Sequence, residues 1–141
     1  MTISSLGQGV GAIALYAVIG LALMLIGFSI LDLTTPGKLS KLVRDGRPNA
    51  AAVTAAGLLS MAFIVVVAIF NSPAKLSDGI VASMIFGVVG ILAQVIAIRV
   101  FEFGMRINVS ALLAAERFSP VSVVLASAHL SMGLVVAVAI S

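Results

Sequence analysis

Four side chains have the types and positions to do chemistry: His129, Gln94, Asp32 and Glu102. His129 is the only histidine, and it sits near the middle of a charge-free run, 118–141. A neutral imidazole accepts a hydrogen bond on one nitrogen and donates from the other. His129 could therefore relay a proton, gate a ligand, or tie two helices together, and the last is the reading the residues favour. Gln94 is the other strongly polar group inside such a run; it bonds a neighbouring helix or lines a polar pathway, with interhelical bonding favoured. Asp32 and Glu102 each stand where an apolar run ends. A carboxylate near a helix C-terminus opposes the helix dipole and needs a compensating cation. Arg99 lies one turn from Glu102, with Arg106 and the first-loop cations as further candidates. Ion pairing at the interface is the plainer reading, and an acidic vestibule that recruits a cation is the sharper one.

Other chemistry finds little footing. Without cysteine there is no thiol nucleophile or thiolate metal site, and His129 lacks a second ligand at its depth, so no metal is expected. Gly7-Gln8-Gly9-Val10-Gly11 has the wrong spacing and context for a dinucleotide loop; it should loosen or cap the start of the first helix. No Ser/His/Asp constellation is present. Neither an enzyme nor a cofactor is expected.

The elements that must position these residues follow from the charge pattern. All eight Lys/Arg and all five Asp/Glu fall into three short intervals, which leave charge-free stretches at 1–31, 48–74, 79–98 and 118–141. Each stretch can cross a bilayer core as a helix of about 20 residues. With 62% hydrophobic and 9% charged residues and mean hydropathy +1.29, the chain reads as an all-α integral membrane protein, a single four-span domain over 1–141. Residues 1–31 lack the cationic n-region of a signal peptide, so the first helix should be retained.

Seven of the eight cations lie in the first and third intervals and one, Lys75, in the second. Short loops rich in Lys and Arg stay cytoplasmic, which puts both termini outside. Thr35-Pro36 reads as a cap followed by proline, opening a short amphipathic helix with Leu39, Leu42 and Val43 on one face. Lys38, Lys41, Arg44 and Arg47 would then meet lipid headgroups or a cytoplasmic partner. Their basicity is no sign of nucleic-acid binding. Pro48 restarts the chain as span two, Ser77 or Asp78 can cap span three, and Ser119-Pro120 opens span four.

A shift of 71 positions lays span two on span four, matching Leu59-Ser60-Met61 with Leu130-Ser131-Met132 and Asp45 with Glu116. Repeat one (about 10–74) and repeat two (about 77–141) would be parallel helical hairpins about an axis along the membrane normal. Helices in lipid pack through small residues. Span three offers Gly79, Ser83, Gly87, Gly90 and Gln94 on one stripe, and span four offers Ser122, Ala126, His129, Gly133 and Ala137. The duplicate on span two is Ala51, Ala55, Leu58 and Ala62.

The stretch from Asp32 through Thr35-Pro36-Gly37-Lys38, then Asn49 in span two, Gln94 in span three and Glu102 after it, resembles domain-of-unknown-function family 350 from Tyr16 onward. The resemblance implies a bacterial plasma-membrane protein, with Asp32, Thr35, Pro36, Asn49, Gln94 and Glu102 as the positions carried over. His129 is not among them. Four helices of this size scarcely enclose a pathway, so a homo-oligomer or a subunit of a larger membrane complex is expected. An adaptor or accessory role is favoured over a small proton or cation channel.

Overall fold

Six helices follow one another: α1 (Ile3–Thr34), α2 (Leu39–Arg44), α3 (Pro48–Phe70), α4 (Leu76–Met105), α5 (Val109–Ala114) and α6 (Pro120–Ala139). The computed structural model describes residues 3–141, with side chains from residue 7 on. Four of the helices, α1, α3, α4 and α6, are long and apolar enough to cross a membrane. The protein is a multi-pass, all-helical membrane protein. Ends of the bundle are called here the basic end, which carries α2 and α5, and the opposite end.

Local chemistry sets the helix boundaries, though not always where the sequence pointed. Pro48 and Pro120 do open α3 and α6, where a missing N–H costs nothing. Ser119 caps α6 by accepting the Val121 N–H at 3.3 Å. Thr35-Pro36 does not open α2. The chain turns through Gly37 (φ 91°) and Lys38 (φ 56°) first, so α2 starts at Leu39. Neither Ser77 nor Asp78 caps α4, which begins at Leu76; Asp78 sits in its first turn and pairs with Lys75 at 3.4 Å. The glycines of 7–11 lie inside α1 rather than before it. Within the charge-free stretch 1–31, Ile3 onward is helical, and its first two residues lie outside the described ones. α5 was not foreseen, although Asn108 caps it by accepting the Ala111 N–H at 3.0 Å and Val109 and Leu113 are its inward i, i+4 pair.

The packing is a four-helix rhomb. α3 and α6 run side by side in the same direction and share the largest interface, while α1 and α6 each lie against both α3 and α4. Close approach at the seams depends on missing side chains. A Cβ on Gly133 would fall onto the Ser60 hydroxyl. One on Gly87 would come within 2.6 Å of Leu23, and one on Gly57 within 2.8 Å of Leu31. The small stripe of α4 therefore does face its neighbours: Gly79, Ser83, Gly87, Gly90 and Gln94 are all buried. On α6, Ser122, His129, Gly133 and Ala137 are buried, and Ala126 is half-buried.

On α3 the expected stripe is wrong. Ala51 and Ala55 are exposed, and the buried face runs through Ala50, Val53, Gly57, Ser60 and Ile64. α3 is enclosed by α1, α4 and α6 together, so its inward face is rotated from the one that α6 uses. A pair of units related by an axis along the membrane normal would also bring α1 onto α6 wherever α4 meets α3. Here α4 lies on α3 while α1 and α6 barely touch. α4 has glycines free to receive Leu23 of α1 at one level and Ile64 of α3 at the next; Gly20 and Gly27 of α1 are covered by α3 residues Ile69 and Met61.

Candidate functional site

Polar groups collect in two places. Deep in the bundle, Ser60 of α3, Gln94 of α4 and the backbone of His129 on α6 meet. The Ser60 hydroxyl donates to the His129 carbonyl at 2.6 Å. The Gln94 amide donates to the Ser60 oxygen and, more weakly, to the same carbonyl at 3.4 Å. All three residues are at most 2% exposed. An amide or hydroxyl in lipid without a partner is costly, so a three-helix knot is the natural resting place for these groups. His129 takes part through its carbonyl; its Nδ1 is buried without a partner, as is Gln94 Oε1. Nδ1 faces Gly57, whose absent Cβ would lie 3.6 Å away. The imidazole bridge expected from the sequence is thus made by main chain and hydroxyl instead. Ser60 was missed because serine is common in such runs and can satisfy itself on its own helix; the glycine at 133 that makes room for it is the readable sign.

The basic end holds the second cluster, organised by Arg99. Its guanidinium donates to Glu102 at 2.5 Å, to Thr35 Oγ1 at 2.7 Å and to Thr34 Oγ1 at 3.2 Å. Thr35 in turn donates to the Leu31 carbonyl at 2.7 Å, so one side chain of α4 clamps the end of α1. This is the cation that the Glu102 carboxylate needs against the helix dipole. Asp32 finds no cation among the described residues. Its carboxylate accepts the Ser40 N–H at 2.7 Å and the Ser40 hydroxyl at 3.0 Å, which fixes the first turn of α2. Asp32 and Glu102 are thus engaged by different partners, Ser40 and Arg99. Asn49, fully buried, donates to the Arg117 carbonyl at 2.9 Å and accepts the Ser119 N–H at 2.8 Å. It ties the start of α3 to the start of α6. Nearby, Arg47 pairs with Glu116 at 3.0 Å.

A cavity of about 540 Å³ opens beside this cluster, lined by Pro36, Arg99, Glu102, Arg106, Asn108 and Ser110 among others. Arg106 ends α4 in the left-handed region (φ 52°), a conformation that costs energy for a residue with a Cβ. Lys38, Lys41 and Arg44 are exposed, and none is in an ion pair among the described residues. Of the six positions carried by the family resemblance, Asp32, Thr35, Pro36, Asn49 and Glu102 gather at the basic end. Gln94 alone belongs to the buried knot.

Four apolar helices, a polar knot sealed between three of them and a cation-rich end define a small polytopic membrane protein. Its sequence matches the family model "Domain of Unknown Function (DUF350)" over residues 5–140, and the chain belongs to that family. It is similar to a UPF0719 transmembrane protein of Mycolicibacterium paratuberculosis, 33% identical over 135 residues, covering 95% of this chain and 89% of that protein. A UPF0719 transmembrane protein of Mycobacterium bovis is 36% identical over 81 residues, 57% of this chain and 53% of that protein. A Mycobacterium tuberculosis relative of the same description matches to the same extent, so about half the length of these two is spanned. No solved structure matches the chain at a significant level.

Proposed function

We propose that this chain is a non-enzymatic membrane adaptor or accessory subunit, working as a homo-oligomer or within a larger complex of the bacterial plasma membrane. In this reading the basic end faces the cytoplasm and both termini lie outside. One observation carries it: Ser60, Gln94 and His129 close on one another and are sealed inside the bundle. Polar groups that line a route face a cavity, whereas these serve packing. The unpaired Lys38, Lys41 and Arg44 are then free to hold an acidic partner or anionic lipid. Replacing all three with glutamine should release a co-purifying partner while the particle mass of the membrane assembly stays constant. Undiminished capture would remove the adaptor reading. The duplication of two hairpins belongs, in this view, to the ancestry of the chain rather than to the symmetry of its bundle.

A second reading, a small proton or cation channel, draws on the unpartnered His129 Nδ1 and Gln94 Oε1. Reconstituted vesicles should then leak in a manner altered by Gln94→Leu or Glu102→Gln. Tight vesicles with the unmodified chain would exclude it.

A further inference from the structure

A groove separate from the Arg99 cluster runs down the flank of the bundle where α1, α2 and α3 meet. It has a volume of about 470 Å³ and is lined by Phe28, Ser40, Val43, Arg44, Thr54 and Leu58. The charged residue is at the top, on α2, and the apolar residues Phe28 and Leu58 are on the spans below. Thr54 follows Pro48 by six positions, about 9 Å along the helix axis, and Leu58 by ten, about 15 Å. The groove thus starts at the level of an interfacial helix and continues into the hydrocarbon. Thr54 is 7% exposed, and its hydroxyl is buried without a partner in the groove wall. A helical threonine usually satisfies itself on the preceding turn, and this one does not. Rotation about the Cα–Cβ bond of this groove-lining residue redirects the hydroxyl.

We infer that this groove seats one anionic phospholipid, with its phosphate on Arg44, an ester carbonyl on the Thr54 hydroxyl and an acyl chain along Phe28 and Leu58. Charge complementarity selects the occupant. Arg44 has no carboxylate partner among the described residues, and Asp32 is spent on Ser40. A peptide would leave unsatisfied backbone groups in the apolar lower half, while a lipid carries its polar atoms only at the top. The inference rests on the adaptor reading only in placing the basic end at the headgroup level. Thr54→Val reports on the groove, whereas capture of a protein partner reports on the exposed cations, so either can fail alone.

The test is native mass spectrometry of the full chain in mild detergent, with added phosphatidylglycerol, phosphatidylcholine of the same chains, or water-soluble glycerol 3-phosphate. One phosphatidylglycerol should be retained per chain in preference to phosphatidylcholine, and glycerol 3-phosphate should not displace it. Arg44→Gln should lower retention about fivefold, the effect of one interfacial cation. Thr54→Val should lower it too and Thr54→Ser restore it. Arg117→Gln, at the same end of the bundle but outside the groove, should leave it unchanged. Equal retention of the two lipids, displacement by glycerol 3-phosphate, or an effect of Arg117→Gln as large as that of Arg44→Gln would each overturn the assignment. Should Thr54→Val fail to fold, Arg44→Gln against Arg117→Gln decides.

Discussion

Ser60 and Gly133 set hydrogen bonding against shape at one point of the α3–α6 seam. Interhelical hydrogen bonds in membranes average about 0.6 kcal/mol. Ser60 takes part in bonds to Gln94 and the His129 carbonyl, so Ser60→Ala should cost about 1 kcal/mol. Gly133→Leu drives a side chain into the space that Ser60 fills and should cost more, toward about 3 kcal/mol. Reversible unfolding in mixed micelles measures both; a larger loss for Ser60→Ala would mean that the polar knot, not the close approach, holds the seam. At the basic end, Asn49→Ala leaves the Arg117 carbonyl and Ser119 N–H without their buried partner and should destabilise by about 1–3 kcal/mol. Asn49→Asp keeps the acceptor but not the donor, so it should recover only part of that loss. Thermal melts that rank the aspartate at or below the alanine would contradict this account of Asn49.

Among the four long helices, α1 is held least. Of the residues in its most apolar stretch 17% are buried, against 50% for α3. Its grip comes from Leu23 entering the notch at Gly87, Leu31 meeting Gly57, and Thr35 bonded to Arg99. Leu23→Ala should open a cavity worth about 2–5 kcal/mol, and its effect should be confined to one helix. Hydrogen exchange in α1 should quicken while amides around Ser60 and Ala128 stay protected; uniform quickening would show that α1 is part of the same cooperative unit. The long helices were legible because charge and hydropathy alternate in blocks, and lipid permits only fully hydrogen-bonded segments between them. Pro48, Pro120 and Ser119 marked their starts for the same local reasons that operate in the fold. The six-residue elements were harder. Thr35-Pro36 looked like a cap, but Thr35 is taken by Leu31 and Arg99, and the cap of α2 comes from Asp32, eight positions upstream of Ser40. The buried face of α3 was illegible from its own periodicity, because a helix surrounded on three sides has no single stripe. Arg99 was read as a partner for Glu102, which it is, but its bonds across to α1 depend on tertiary placement that no spacing reveals.

For the whole molecule, the orientation proposed above rests on the seven-to-one division of cations between the two ends. Single cysteines replacing Lys41 and Gly7 in this cysteine-free chain test it directly. An impermeant thiol reagent applied to intact cells should label position 7 and spare position 41, and the opposite pattern would invert the topology. Much apolar surface stays exposed on the bundle, including Val18, Leu21 and Leu25 along α1. Lipid can cover it, and so can another copy; particle mass after gentle extraction tells them apart. The α3–α6 seam has one more implication, for biogenesis. It joins the second span to leave the ribosome with the last, since domains emerge N-terminal end first. Until the last span and the turn before it arrive, Ser60 and Gln94 have each other but lack the His129 carbonyl, and Asn49 lacks the Arg117 carbonyl and the Ser119 amide. A nascent chain halted before position 117 therefore displays an unanswered Asn49 and a half-answered Ser60–Gln94 pair to the insertion machinery, a ready mark by which incomplete products can be told from finished ones and cleared.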